Sequence, residues 1–422
     1  MRSSILVFVV LACPLVANGA EQQLTLDAAV DLALTRAPQI AARQAATESA
    51  QSLTVSAGRL PDPQIILGID NLPVEGPDAY STTSDFMTMR QIGLMQSFPA
   101  RAQRRSEGTV ASAEVTLATA ELQATRYEVA RSASVSWVRY AATHDSLQRL
   151  RTLEVDLELG ARAATAALRS GRTNTAEALA ADAGVTELKS RILQLQGDLR
   201  RERSELARWI GAEAIGPPAQ IPSMDELPAQ VESLRAAVLE HVSLRPLDAQ
   251  IAVSQAKLEL AKAARRPGWS AEFMYGKRGP DFEDMASLKF NIDLPFFRRN
   301  RQNPVIAARG ADVRRAQAER EAELQLHQAE FEQMLATWDT TGEQLKFIDE
   351  ERLPLARARS SAALAAYRAS QGDVGAALDA FQAETDLLLE RANLQVERSL
   401  AWSYLRYLDI AATAGEQKGE QP

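Results

Sequence analysis

The chain says nearly the same thing twice, and that repetition limits the architectures open to it. Residues 24–51, LTLDAAVDLALTRAPQIAARQAATESAQ, have a counterpart in 231–259, VESLRAAVLEHVSLRPLDAQIAVSQAKLE. In each, a helical stretch meets an arginine–proline break, Arg36 to Pro38 and Arg245-Pro246, and resumes as an Ala/Gln-rich helix. Each second helix runs into another proline, Pro61 or Pro267, and the periodicity then changes. Ile65, Leu67 and Ile69 fall on one side of an alternating stretch, as do Trp269, Ala271, Phe273 and Tyr275, and this alternation predicts strands. A polar loop leads to a second strand in each half. SLKFNIDLPFF is the clearer one, with Leu288, Phe290, Ile292 and Leu294 set against Lys289, Asn291 and Asp293.

Both second strands end at a proline, Pro99 and Pro295, followed by a basic cluster: Arg101, Arg104 and Arg105 in one half, Arg298, Arg299 and Arg301 in the other. From there each half turns helical for roughly 65 residues, about 100 Å at 1.5 Å per residue. Ala, Leu, Arg, Glu and Gln dominate, aromatics are 5% of the chain, and no proline occurs between Pro99 and Pro217. Leu147, Leu150, Leu157, Ala161, Ala164 and Leu168 recur at coiled-coil spacing, and Pro354 predicts a kink in the second long helix. Glycine-bearing turns, LRSGRTNT at 168–175 and YRASQGDVG at 367–375, then reverse the chain into a returning helix, which makes two antiparallel hairpins.

The organisation read from this is a signal peptide at 1–20, a first repeat at 21–215, a proline-rich linker at 216–228, a second repeat at 229–411 and a disordered tail at 412–422. The leader has Arg2, an apolar run from Ile5 to Val16 and small residues before Glu21, the pattern of a secretory signal. The chain's one cysteine, Cys13, lies inside it. Val10-Leu11-Ala12-Cys13 also reads as a lipoprotein signal with lipidation at Cys13, and that alternative stays open.

Four strands, each with one apolar face, do not make a soluble core by themselves. In a bilayer every backbone group must be paired, which strands achieve only in a closed barrel of about eight or more strands. Four per chain therefore require other chains. The expected class is mainly α with a transmembrane β-barrel portion, Leu288, Phe290, Ile292 and Leu294 facing lipid and Lys289, Asn291 and Asp293 facing a watery lumen. A soluble sandwich edge packed on a helix is the competing reading of the same alternation.

The opening LTLDAAVDLALTRAPQI, the proline-bounded strand pairs, FNIDLPFFRRNRQNPVIAAR, LPLARARSSAALAAYRASQGD and LDAFQAETDLLLERANL together resemble the TolC-like outer-membrane factors over about residues 24–411. The resemblance implies a homotrimer with a twelve-stranded barrel continuous with a long periplasmic α-helical barrel. It also implies partners, a periplasmic adaptor and an inner-membrane pump of the resistance-nodulation-division type, with outer-membrane lipid around the barrel. LPDPQIILGIDNLPVEGPD followed by DFMTMRQIGLMQSFP is more similar to the heavy-metal-exporting CzcC/CusC branch than to others. The expected function is therefore a passive exit duct for metal cations at the outer membrane of a Gram-negative cell. The same duct serving drugs or a secreted polypeptide is one alternative, and a soluble periplasmic coiled-coil adaptor or scaffold is another.

The resemblance assigns adaptor docking to the hairpin tips, Gly171, Arg172, Gly372, Asp373 and Val374, and a cation-attracting periplasmic aperture to Asp379. The family often has a second aspartate three positions before the latter, where this chain has Ala376. Met87, Met89 and Met95 share one parity, which would place them on one face of a strand as thioether ligands or as membrane-wall packing, the latter being the default. Chemistry is otherwise absent: His144, His241 and His327 have no ligand spacing, and no P-loop, dinucleotide fingerprint, G-x-S-x-G or HExxH motif occurs, so no catalytic residue or cofactor is expected. The net charge of −8 comes as mixed-sign pairs along helices and leaves no basic footprint for nucleic acid.

Overall fold

The computed structural model describes residues 23–171, 173–369, 371–372 and 374–416. The leader with Cys13, the tip residues Arg172 and Asp373, and residues 417–422 lie outside them. The described residues fall into two compact units. The first comprises residues up to Arg36, Ser132–Met224 and Thr341–Leu400, and the second comprises Ala37–Arg131, Asp225–Thr340 and the residues from Ala401.

Helix α1 (Leu26–Arg36) gives way at Ala37 to α2 (Pro38–Ser56), with Pro38 at the first helical position, where its missing N–H costs nothing. Strands β1 (Gln64–Asp70) and β2 (Met89–Phe98) follow, then α3 (Arg101–Arg169) and α4 (Thr175–Ile210). The rest of the chain has the same order of elements, except that two helices stand where the first half has the single α3. α5 (Val231–Leu239) and α6 (Arg245–Ala263) precede β3 (Trp269–Lys277) and β4 (Met285–Ile292), and α7 (Gln302–Phe347), α8 (Leu353–Arg368) and α9 (Val374–Glu416) complete it. α9 runs through Ala411 to Glu416, so helix extends over the start of the segment expected to be disordered; AATAGE is a good helix former up to its glycine.

In the first unit, Leu147, Leu150, Leu153, Leu157, Ala161 and Ala164 of α3 are buried against Ala181, Val185, Leu188 and Ile192 of α4, with Leu378, Phe381 and Leu389 of α9 packed on the same cluster. This is the seam expected from the heptad spacing, except that Leu168 is not among its buried residues and Leu153 is. The segment Gly216–Ala219, expected as linker, is held by hydrogen bonds: the Leu24 N–H donates to the Pro217 carbonyl and the Ala219 N–H to the Leu24 carbonyl, both at 2.9 Å. Trp137, fully buried, donates its indole N–H to the same Leu24 carbonyl at 2.9 Å.

Pro354 breaks the second long helix in a specific way. Between α7 and α8 lies one π-helical stretch, Ile348–Arg352, whose longer hydrogen-bond step absorbs the N–H that the proline lacks. Arg352 forks onto Glu390 at 2.6 and 3.0 Å, and Arg391 onto Asp349 at 2.6 and 2.9 Å, so two bidentate pairs tie this stretch to α9.

In the second unit the strands form one antiparallel sheet in the order β1-β2-β3-β4. Ile65 pairs with Leu94, Leu94 with Phe273 and Phe273 with Leu288, so one apolar row from all four strands shares a face. That face is bare: Leu67 is 73% exposed, Leu288 62% and Phe290 61%. Along the other face run polar rungs, Lys289 beside Glu272 at 3.4 Å and Asn291 beside Ser270 at 3.4 Å. β4 stops at Ile292, two residues before the expected Leu294, because Pro295 cannot donate to a ladder and Asp293 instead bonds to the Gly268 carbonyl. Among the described residues, no helix is long and apolar enough to cross a membrane.

Gly93 shows how tightly the polar face is packed. A Cβ there would lie 2.0 Å from the Met274 sulfur and 2.8 Å from the Phe273 carbonyl oxygen. The sulfur can move, but the strand backbone cannot without breaking the ladder. Gly93→Val should therefore destabilise the sheet by about 1–3 kcal/mol, read as a lower thermal midpoint in detergent, whereas Gly68→Val, with nothing within 4 Å, should change it little. Equal midpoints for the two variants would contradict the packing described.

Candidate functional site

The sequence-derived sites separate once placed on the fold. Gly171 follows α3 with φ +69°, a left-handed conformation that ends the helix, and its N–H donates to the Leu168 carbonyl at 3.0 Å. Gly372 is exposed in the turn after α8, where the Gln371 N–H caps the Ala366 carbonyl at 2.9 Å. Val374 is the first residue of α9. The tips are thus short turns held by main-chain bonds, and at the first of them Asn174 caps α4 by accepting from the Glu177 N–H at 2.9 Å.

Asp379 lies in the second turn of α9 and is exposed, between the buried Ala377 and Ala380. On the same stretch of α9, Leu378 reaches α4 so closely that a Cβ on Gly184 would lie 2.9 Å from its methyl. Asp386 pairs with Arg191, which clamps α9 to α4 beside that contact.

The three methionines do not form a row. Met87 lies in the turn before β2, where the Asp85 carboxylate accepts its N–H at 2.7 Å, so strand alternation does not govern it. Met89 and Met95 do share a face, the polar one with Gln91 and Gly93. Six residues of strand hold them about 20 Å apart, too far for both sulfurs to reach one ion within the chain. Phe86 lies in the same turn as Met87 and packs on Phe282, ring centroids 6.5 Å apart.

A buried polar cluster in the second unit has no local signal in the sequence. His241, at the cap between α5 and a short 3-10 turn, and His327 on α7 come together with ring centroids 4.7 Å apart. The Ser243 hydroxyl sits between them, 2.7 Å from His327 Nε2 and in contact with His241 Nδ1. Tyr127 meets the His241 ring edge-on at 4.7 Å, Arg131 covers the Tyr404 ring at 5.2 Å, and Glu323 and Glu330 lie 3.4 and 3.6 Å from His327. Burial pushes the Tyr127 phenol up to about 12 and raises that of Tyr404. Burial, reinforced by His327, Arg131 and Arg245, pulls His241 down from 6.5 to about 4. Expected as isolated residues, two of the three histidines are neighbours, because α5–α6 and α7 pack together although Ser243 and His327 are 84 residues apart. No group of three or more His, Cys, Asp or Glu suited to a metal ion occurs among the described residues. The cluster is a packed polar core, in which a neutral imidazole is held where a charged one is disfavoured.

No family model matches the sequence, and no curated protein matches it. Solved structures do match. CusC, in a study of folding and transmembrane channel formation, aligns with TM-score 0.77 at 16% identity over 92% of this chain and 91% of that one. The outer-membrane protein VceC of Vibrio cholerae aligns with TM-score 0.75 at 17% identity over 91% and 95%. The CmeC outer-membrane channel of Campylobacter jejuni aligns with TM-score 0.78 at 12% identity over 93% and 89%.

The histidine cluster makes a pH prediction. Below pH 6.5 an unfolded chain takes up a proton at residue 241 that the folded chain refuses until about pH 4, so stability should fall through that window. The loss from this group is about 3 kcal/mol. His241→Gln should flatten the fall in thermal midpoint between pH 6.5 and 4, and an unchanged slope would show that the group does not control it. At 12–17% identity the likeness is one of fold, and on that basis the chain has the TolC-like fold of outer-membrane channel proteins.

Proposed function

We propose that the chain is one subunit of an outer-membrane channel, the passive exit duct of a tripartite efflux system of the resistance-nodulation-division type. The observation that carries this reading is the sheet: four strands, one face bare and apolar, the other laddered with Glu272–Lys289 and Ser270–Asn291. Lipid on the first face and water on the second satisfies both. β1 and β4 each have one partner, so closure needs other chains, and the repeated element order supports reading the chain as internally duplicated. Three copies supply twelve strands. The paired helical hairpins then extend into the periplasm, where the tips at Gly171–Arg172 and Gly372–Val374 meet a periplasmic adaptor. The chain carries no catalysis, and the pump supplies the energy.

The likeness of residues 60–99 to the heavy-metal branch favours metal cations as cargo. In this reading the exposed Asp379 of three subunits forms an acidic ring at the periplasmic aperture.

Fractionation of expressing cells, followed by conductance of the purified protein in planar bilayers, tests the duct. Recovery from the outer membrane with ion-conducting channels is expected, and recovery as a soluble periplasmic protein would refute it. In the same bilayers Asp379→Ala should raise the concentration of cobalt needed for half-block at least tenfold, while unchanged block removes Asp379 from the aperture. A deletion strain grown on copper, silver, zinc, cobalt, nickel and several drugs identifies the cargo; sensitivity to drugs alone would overturn the metal assignment.

A further inference from the structure

At the ends of the strands, the second unit gathers cations around an open cleft. The cleft, about 790 Å³, lies among the last turns of α2 and α6 and the first turns of α3. Arg101, Arg104, Arg105, Lys262 and Arg266 line it against one carboxylate, Glu259. Glu259 is already engaged by Lys262 at 2.6 Å, and among the described residues no ion pair engages the four arginines. Arg104 Nε is buried without a hydrogen-bond partner. Five cations facing one acid are out of character for a chain of net charge −8.

Their placement also works against the helix. α3 opens with arginines and has no acidic residue in its first turn, although the positive end of the helix dipole disfavours cations there. The backbone is shaped to keep them. Gly58, at φ +71°, ends α2 hard against α3, where a Cβ would lie 2.3 Å from the Arg104 carbonyl oxygen. An anion in the cleft would relieve the mutual repulsion and meet the N-terminal main-chain dipoles as well.

The neighbouring sheet indicates what kind of anion. Phe98 and Trp269, the terminal pair between β2 and β3, stack with centroids 4.2 Å apart on the edge of the exposed apolar face. Arg101 lies three residues beyond one and Arg266 three residues before the other. Apolar wall, aromatic rim and then cations is the order in which a bilayer presents acyl chain, interface and phosphate. We propose that this cleft is a binding site for a phosphate-bearing anion, supplied either by a glycerophospholipid headgroup or by soluble phosphate. The proposal rests on the reading of the apolar face as lipid-facing.

Titration calorimetry of the full-length protein in dodecyl maltoside tests it, with inorganic phosphate and short-chain dihexanoyl phosphatidylglycerol as probes. Binding is expected, weakened at least tenfold in Arg104→Gln/Arg266→Gln and tightened two- to fivefold in Glu259→Gln, which stays informative if the arginine variant does not fold. Phosphatidylglycerol binding at least tenfold tighter than phosphate identifies the lipid as source, and equal affinity identifies soluble phosphate. No binding of either probe, or wild-type affinity in both variants, overturns the site. Gradient position of the protein separates this from the channel reading. Outer-membrane recovery without binding sinks the cleft alone, whereas a soluble protein that still binds phosphate keeps the cleft and loses the channel.

Discussion

The structure is organised around a mismatch in its sheet. A four-stranded sheet leaves two unpaired edges, and here it also leaves an entire apolar face uncovered, with Leu67, Leu288 and Phe290 more than half exposed. Exposed hydrophobics of this size, contiguous across four strands, are foreign to a soluble monomer. Adjacent strand pairing sends Ile65, Leu67, Ile92, Leu94, Phe273, Leu288 and Phe290 to that one face, and a slip of one residue would turn the whole set over. The polar rungs on the other face oppose such a slip, since it would separate Lys289 from Glu272 and bring apolar residues among them.

Elsewhere the packing is ordinary, and the ordinary parts isolate what is unusual. The hairpin of the first unit is a leucine–alanine seam such as a coiled coil uses, with small residues letting α4 and α9 approach. The second unit's apolar core, with Leu234, Phe331 and Leu405, surrounds a polar cluster whose two imidazoles share one hydroxyl. Such a cluster costs desolvation and returns little stability, but it fixes the relative placement of α3, α5, α7 and α9 within that unit more narrowly than apolar packing would.

How much of this could be read in advance varies with sequence separation. Strands were legible because alternation is local: Leu288, Phe290 and Ile292 declare themselves within five residues. The proline breaks at Pro38, Pro246 and Pro354 were legible for the same reason. At Pro354, however, only the structure reveals that the interruption takes the form of a π-helical stretch. The methionines form no row because Met87 precedes the strand and escapes its alternation, and because strand length sets Met89 and Met95 far apart. His241 and His327 carry no mutual signal, since their meeting depends on how two helices pack. The arginines after Pro99 stood out as a cluster, but their cleft needed α6 to bring Lys262 and Arg266 to them.

The charge order around the π-helical stretch adds something different. Asp349 meets Arg391 and Arg352 meets Glu390, so each helix contributes one acid and one base, in opposed sequence. An axial slip of α9 that brings Asp349 toward Glu390, or Arg352 toward Arg391, exchanges attraction for repulsion. Taken singly, exposed ion pairs add little to stability, yet this arrangement discriminates between neighbouring alignments of the hairpin. It acts as a vernier: a helix with a displaced hydrogen-bond ladder is indexed to its partner at one setting, and the alignment of the hairpin beyond it follows from that setting.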